Sequence, residues 1–363
     1  MKPVFVNGVR PDVPQESLAA CIRETFLSAS DNCAWLCEGD VVLLKPALNS
    51  PDPFPSTTHP LAISVVAGAL EDRGANVVIG DQSGIEHVLH HSGGVLRGGS
   101  RANYTRSGMG SPYDPRFVSF EDGGWDTGFF HHQSQNTSSW KSGFFITTWV
   151  KKADHIICLP RVSTHSQAGA TLGLKCMVGM LREDSRMEFH ANGPYNNFIT
   201  GSAKGSTLVS EDDGSGRFFE KIVEISDAIR EKLRLNLFVA TKAQTTFGPD
   251  RYGIRVGPVG LGRAWITKPD PGLVFASADP VAAEAFALTF LKDLKTAVPV
   301  FPKLAERMIL YQNPNVQDLQ KIPVRDHPYI RHATEIGLGG MPHEVVYADV
   351  PGAVQERLNC YLK

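Results

Sequence analysis

Apolar residues along this chain come in short runs separated by polar, glycine-rich and proline-rich stretches, a rhythm of buried strands and amphipathic helices. Val41-Val42-Leu43-Leu44-Lys45-Pro46 is one such run, bounded by Gly39 and Pro46, and it reads as a buried strand. Pro46, Pro51, Pro53 and Pro55 mark the loop that follows, which ends in Ser56-Thr57-Thr58-His59-Pro60. Ile63, Val66, Ala67 and Leu70 then fall on one stripe of a helix predicted over 61–73, with Gly74 as its stop. Val77-Val78-Ile79-Gly80-Asp81 is the next strand and turn. Together these make a βαβ unit with polar residues at the carboxyl ends of both strands, where open parallel sheets place their ligands.

The rhythm breaks over residues 92–143, which are rich in Gly, Ser, Asn and aromatics and have little period. Such stretches are surface insertions or functional loops. Residues 144–154 read as a helical turn, and His155-Ile156-Ile157-Cys158-Leu159-Pro160 as a third buried strand followed by Arg161-Val162-Ser163-Thr164-His165. Residues 168–181 have helical composition, 201–217 form a polar loop, and 217–234 give the clearest amphipathic helix, with Phe218, Ile222, Ile225, Ile229 and Leu233 in its stripe. A strand over 235–240 opens a second α/β half. Glycines punctuate 248–262, and a strand over 273–276 precedes a helix that Asp279 caps and Pro280 enters. A short strand over 344–347 lies near the end. The pattern predicts an α/β protein of two α/β halves with mainly parallel sheets and a cleft between them: 1–234, carrying the irregular insertion at about 92–143, and 235–363.

Composition narrows the class without naming an activity. The chain has 363 residues with 42% hydrophobic ones, enough for a substantial core, and its 36 Lys+Arg against 38 Asp+Glu give no long-range pull on nucleic acid or anionic membrane. Six scattered cysteines include one C-x3-C spacing, Cys33 and Cys37, and no C-x2-C pair, so no zinc-ribbon or iron–sulfur cluster motif is present. That scatter fits reduced thiols. With no apolar leader run and no spanning segment, we expect a soluble cytoplasmic protein whose partner is a small-molecule ligand.

Four places carry chemistry. Lys45, Asn49, Thr57, Thr58 and His59 bring an amine and hydroxyls to a helix start, an anion site. Asp81-Gln82-Ser83-Gly84 ends the next strand. Thr164, His165, Thr171 and Lys175 follow the third strand. A buried lysine can lose its proton and act as base or nucleophile, and histidine relays protons near neutrality; the bland alternative is a capped helix with a surface lysine. Asp279 and Glu284 form the fourth place, where an N-cap role already accounts for Asp279. His87, His90 and His91 have helical spacing but no clear third ligand, and they read as a solvated helix face. The adjacent His131 and His132 read as solvated loop residues.

At these residues the chain resembles a known family. Val41 to Pro46, Thr58-His59-Pro60 and Val78-Ile79-Gly80-Asp81 match its N-terminal pattern. Leu159-Pro160-Arg161-Val162-Ser163-Thr164-His165 with Thr171-Leu172-Gly173-Leu174-Lys175 matches its central signature. Ala278-Asp279-Pro280-Val281-Ala282 and Gly337-Leu338-Gly339 match its C-terminal pattern. This is the family catalogued as domain of unknown function 362, and the similarity spans about residues 40–350. Many members carry a ferredoxin-like iron–sulfur segment, for which this chain has no cysteines. Ala47 and Cys176 stand where members usually have Asn, Glu284 where a second Asp is usual, and Thr241-Lys242 where Asp-Gly is expected. His165-x2-Ala168-Gly169-x3-Gly173-x-Lys175-x3-Gly179 also resembles the central signature of nickel-pincer lactate racemases. That resemblance implies an acid/base role for His165, covalent attachment of the pincer nucleotide at Lys175, and a metal-ligand role for His190.

The expectation is therefore an enzyme acting on a small anionic substrate or nucleotide-like cofactor in the cleft, by isomerase- or racemase-like proton transfer. His165 and Lys175 are the catalytic candidates, and Lys45, Thr57, Thr58, His59, Asp81, Ser83, Thr164, Thr171 and Asp279 the anion-binding ones. His190 is the candidate for a metal ion. A redox or metal-carrying accessory protein and a non-catalytic binding protein are the alternatives.

Overall fold

The computed structural model describes residues 2–190, 217–256, 259–310 and 318–363; at 189–190, 252–256, 259–261 and 318 only the course of the backbone is described. Its centre is one eight-stranded sheet. The strands are β1 (Val4–Val9), β2 (Val41–Pro46), β3 (Asn76–Asp81), β4 (Phe117–Ser119), β5 (His155–Leu159), then, after two short strands β6 (Ser163–His165) and β7 (Gly169–Thr171), β8 (Leu233–Ala240), β9 (Gly272–Ser277) and β10 (Val345–Ala348). Their order in the sheet is β10-β1-β9-β8-β5-β2-β3-β4. Every neighbouring pair is parallel except those made by β9, which runs against both β1 and β8. The fold is α/β with a large, mostly parallel sheet, as the strand–helix rhythm predicts. The boundary expected after residue 234 falls inside β8, and strands from either side of it share this sheet, with β1 lying between β9 and β10.

Alternation along the central strands sorts their side chains into two cores. Val42, Leu44, Ile157, Leu159, Leu235 and Leu237 go to one face, where α1 (Gln15–Ala29) and α2 (Pro60–Glu71) cover them. Leu43, Ile156, Cys158 and Phe238 go to the other. That face carries α3 (Gly173–Cys176), α5 (Pro280–Thr296) and α6 (Pro328–Glu335); α4 (Glu183–His190) runs beside it. Burial on both faces is why these strands read as continuous apolar runs. Among the described residues no helix is long and apolar enough to cross a membrane.

Several local expectations change. Residues 168–181 are not one helix: Gly169 at φ +75° turns the chain so that β6 pairs antiparallel with β7, and α3 begins only at Gly173. Residues 144–154 divide into the strand Phe144–Thr147 and the helical turn Trp149–Lys152. The helix expected over 217–234 is an α-helix only over Phe218–Glu224, because Leu233 already belongs to β8. His87, His90 and His91 are not helical, since Leu89–His91 is a short strand. Within 92–143, β4 joins the edge of the main sheet, and Phe129–His132 pairs with Phe144–Thr147 as a hairpin. The polar loop expected over 201–217 lies, apart from its last residue, outside the described residues.

Candidate functional site

Strand register lays a line of polar side chains across the central strands. Lys45 pairs with Cys158, Cys158 with Asn236, and Asn236 with Ser277. Cross-strand partners share a face, here the face under α3. Asp81 at the end of β3 completes the line: Lys45 Nζ lies 2.8 Å from Asp81 Oδ1, with both side chains buried. The amine also donates to the Pro46 carbonyl at 2.7 Å and reaches Cys176 Sγ at 3.6 Å. Burial works against the Lys45 charge, but the Asp81 carboxylate and the two nearby cysteines outweigh it and hold its pKa above the ordinary lysine value. Asp81 is held in turn by the backbone N–H groups of Leu48, at 2.7 Å, and Gln82, at 2.8 Å. The turn after α3 passes directly over this pair. A Cβ on Gly179 would stand 2.1 Å from Asp81 Oδ1 and 2.8 Å from Lys45 Nζ, so only glycine fits.

Two thiols sit against the same amine. The Cys158 S–H donates to Cys176, which lowers the Cys176 pKa against the effect of burial, and Lys45 adds to the lowering. Cys158, fully enclosed and acting as the donor, is pushed well above the ordinary thiol range. Of the two thiols Cys176 is therefore the one that gives up its proton more readily, and α3 places it beside Lys175.

Lys175 occupies a cationic pocket. Burial is the main reason its pKa is pushed down to about 7, and the guanidinium groups of Arg186 and Arg161 push the same way. Arg186 is fully engaged with backbone: it donates to the carbonyls of Leu181, Ser83, Gln82 and Gly179 at 2.6–3.2 Å, tying α4 to the loop after β3. Arg161 is the opposite case. It is 1% exposed, yet none of its three guanidinium nitrogens has a hydrogen-bond partner among the described residues. Burial lowers its pKa to about 10, with the carboxylates of Asp250 and Asp52 and the Cys176 sulfur pulling the other way. A buried guanidinium left without partners costs several kcal/mol, roughly, and such groups in folded proteins signal a bound ion or water. Thr171 Oγ1, on β7 just before α3, is likewise buried and unpartnered.

The remaining sequence candidates divide by what they touch. His165 turns its ring back on its own chain: Nδ1 accepts the N–H groups of Gln167, at 3.0 Å, and Ala168, at 3.1 Å. That leaves Nε2 as the protonated nitrogen of the neutral ring, a donor. Thr57 donates to the Asp52 carbonyl at 2.9 Å, and Thr164 to the Gln244 carbonyl at 3.3 Å. Thr58 accepts from Ala47 N at 2.7 Å and donates to the Leu159 carbonyl, bridging the ends of β2 and β5. His59 caps α2 through Nδ1, 3.2 Å from Leu61 N, and burial together with Lys242 pushes it down to about 4. Ser83 accepts from Asn103 at 3.0 Å. Asp279 caps α5, with Val281 N at 2.9 Å and Ala282 N at 3.0 Å. His190 ends α4, and its side chain lies outside the described residues. His131 and His132 lie on a strand, where His131 contacts the Ser142 carbonyl at 2.5 Å and His132 the Asp227 carboxylate at 3.1 Å.

Sequence reading singled out neither Arg161 nor Arg186 nor Asn236. Both polar side-chain atoms of Asn236 are buried and unpartnered. Beside it, Glu284 Oε2 accepts Leu174 N at 3.0 Å while Oε1 has no partner, and burial raises this carboxyl to about 8. Gly173 fits between them, since a Cβ there would lie 3.0 Å from the Asn236 amide and 3.1 Å from Glu284. The register of β8 against β5, which a slip of one residue would destroy, is what places Asn236 here, and it is not written in any local motif.

No curated protein matches the chain. The model of one family does, over residues 42–289, a span that holds β2, the line of polar side chains and the whole cationic pocket. On that match the chain belongs to the family described as a domain of unknown function, DUF362.

Proposed function

We propose that this chain binds a small anion, a carboxylate or a phosphate, in the pocket of Arg161, Lys175 and Arg186, and that Lys175 exchanges a proton with it. The observation that carries the reading is the buried Arg161 guanidinium, which has no hydrogen-bond partner among the described residues. Guanidinium forks take carboxylate and phosphate oxygens in pairs. An amine whose pKa is about 7 is half neutral at physiological pH, which suits a group that must both accept and return a proton. On this reading His165 presents an N–H donor to the ligand, and Lys175 rather than the imidazole takes the proton. Proton transfer next to a carboxylate, of the isomerase or racemase class, is the chemistry we assign, and we place it in the cytoplasm.

Thermal unfolding of the full chain with inorganic phosphate, lactate or malonate, against chloride at equal ionic strength, tests the binding. An anion at 100 times its Kd stabilises by about 2.7 kcal/mol, so at least one of them should raise Tm by several degrees. Arg161→Met should abolish the rise. Equal shifts for wild type and variant would overturn the reading. Incubation with small carboxylates in D2O tests the chemistry: deuterium should appear at the carbon next to the carboxylate, and Lys175→Met should prevent it.

A further inference from the structure

Outside that pocket, two adjacent side chains and a third far away in sequence meet where the loop after β3 touches the loop after Gln244. One ligand atom from each of Glu86, His87 and Asp250 lies within 4.8 Å of the other two. His87 Nε2 is 2.5 Å from Asp250 Oδ2. We infer that Glu86, His87 and Asp250 form a binding site for one divalent first-row ion of the Mn(II) or Zn(II) type. One imidazole with two carboxylates is a donor set those ions accept; ligand atoms around an ion at roughly 2.1 Å stand about 3–4 Å apart, so an ion bound here replaces the proton between His87 and Asp250 and widens their contact.

The loops that bring the three together are fixed from behind. Asn49 holds both of them: its carbonyl takes Gly84 N at 2.9 Å, and its Nδ2 donates to Asp250 Oδ1 at 3.0 Å and to the Pro249 carbonyl at 3.3 Å. His87 N is in turn bonded to the Gly84 carbonyl at 2.8 Å. On the other side, Gln244 donates to the Asp250 carbonyl at 2.9 Å and accepts from Ser56 at 2.7 Å. Supporting bonds of this kind, from side chains that do not touch the ion, are what set ligand orientation in metal sites. Asn49 Oδ1, on the amide that grips Asp250, is buried and has no partner among the described residues. Glu86 is exposed, so an ion has a way in, and three protein ligands leave coordination positions open. Arg161 lies in the field of the same Asp250. The metal site itself does not depend on the anion reading.

The full chain, stripped with a chelator and dialysed, is titrated with MnCl2 under electron paramagnetic resonance and with ZnCl2 against a chromophoric chelator. One ion per chain is expected. Glu86→Gln, at an exposed position where folding is not at risk, should weaken binding at least tenfold, and His87→Ala and Asp250→Asn at least as much. Arg161→Met should still take up one ion. Failure of the wild type to bind either ion at one per chain, or equal affinity in Glu86→Gln and Asp250→Asn, would overturn the assignment while leaving the anion test untouched.

Discussion

Lys175 and Glu284 show how far burial, helped at Lys175 by two guanidinium groups, can move a proton. The folded Lys175 titrates near 7 while an unfolded lysine holds its proton to about 10.4, so from pH 7 upwards the unfolded chain binds the extra proton and stability rises with pH over that window. Anion binding runs the other way. Below about pH 7 the amine is charged and strengthens the hold on a carboxylate or phosphate. Affinity for the stabilising anion should therefore fall as pH rises from 6 to 8.5, and Lys175→Met should flatten that profile; calorimetric titration at several pH values measures both. Glu284 keeps its proton to about 8, whereas the unfolded carboxyl releases it near 4.5, so stability falls as pH rises between those values. Glu284→Gln keeps the oxygen that accepts Leu174 N and removes the ionisation. At pH 8.5 the variant should be the more stable protein by about 1–3 kcal/mol, and near pH 5 the two should be close, as urea midpoints will show. Of these residues Lys175 was legible from type and position. Arg161 was not, because its importance lies in what fails to touch it, a property no sequence pattern records.

At the scale of elements, the line formed by Lys45, Cys158 and Asn236 depends on three strands keeping register. The Lys45–Asp81 ion pair is enclosed beneath the turn at Gly179. Removing one partner leaves a buried charge, so Lys45→Met and Asp81→Asn should each cost about 3–5 kcal/mol in denaturant unfolding. The double variant should cost less than their sum, because the two interact directly. Gly179→Ala should cost about 1–3 kcal/mol, since its methyl has no room beside Asp81. Elements with a strong local period were readable: the run 41–46, the stripe through Ile63 and Leu70, and the Asp279 cap that starts α5. The expected helix over 168–181 failed because helical composition was outvoted by backbone geometry at Gly169 and by pairing of β7 with β6, a tertiary contact. Of the histidines at 87, 90 and 91 only His87 lies with Glu86 and Asp250, and Asp250 arrives from another loop altogether, which no local spacing records.

For the whole molecule, the decisive fact is a single sheet whose strands come from both ends of the chain. β8 lies between β5 and β9, and β1 between β9 and β10, so no cut near residue 234 leaves two complete sheets. Pieces 1–234 and 235–363 expressed separately should fail to give cooperative unfolding transitions, whereas the full chain should show coincident loss of tryptophan fluorescence and helical circular dichroism across the sheet. The two-half reading followed from the return of strand and helix signals after residue 234; it did not foresee that strand order would interleave them, because order is set by which edges meet in space.

The placement of β1 also bears on synthesis. Phe5 is paired with Ala276 and Val4 with Val345, so β1 is made about 270 to 340 residues before the strands that match its backbone. Throughout translation it is a loose apolar segment in search of a neighbour. An unmatched strand of this kind exposes its edge until its neighbours are made, so we expect slower synthesis or added holding chaperone to raise the soluble yield of the full chain.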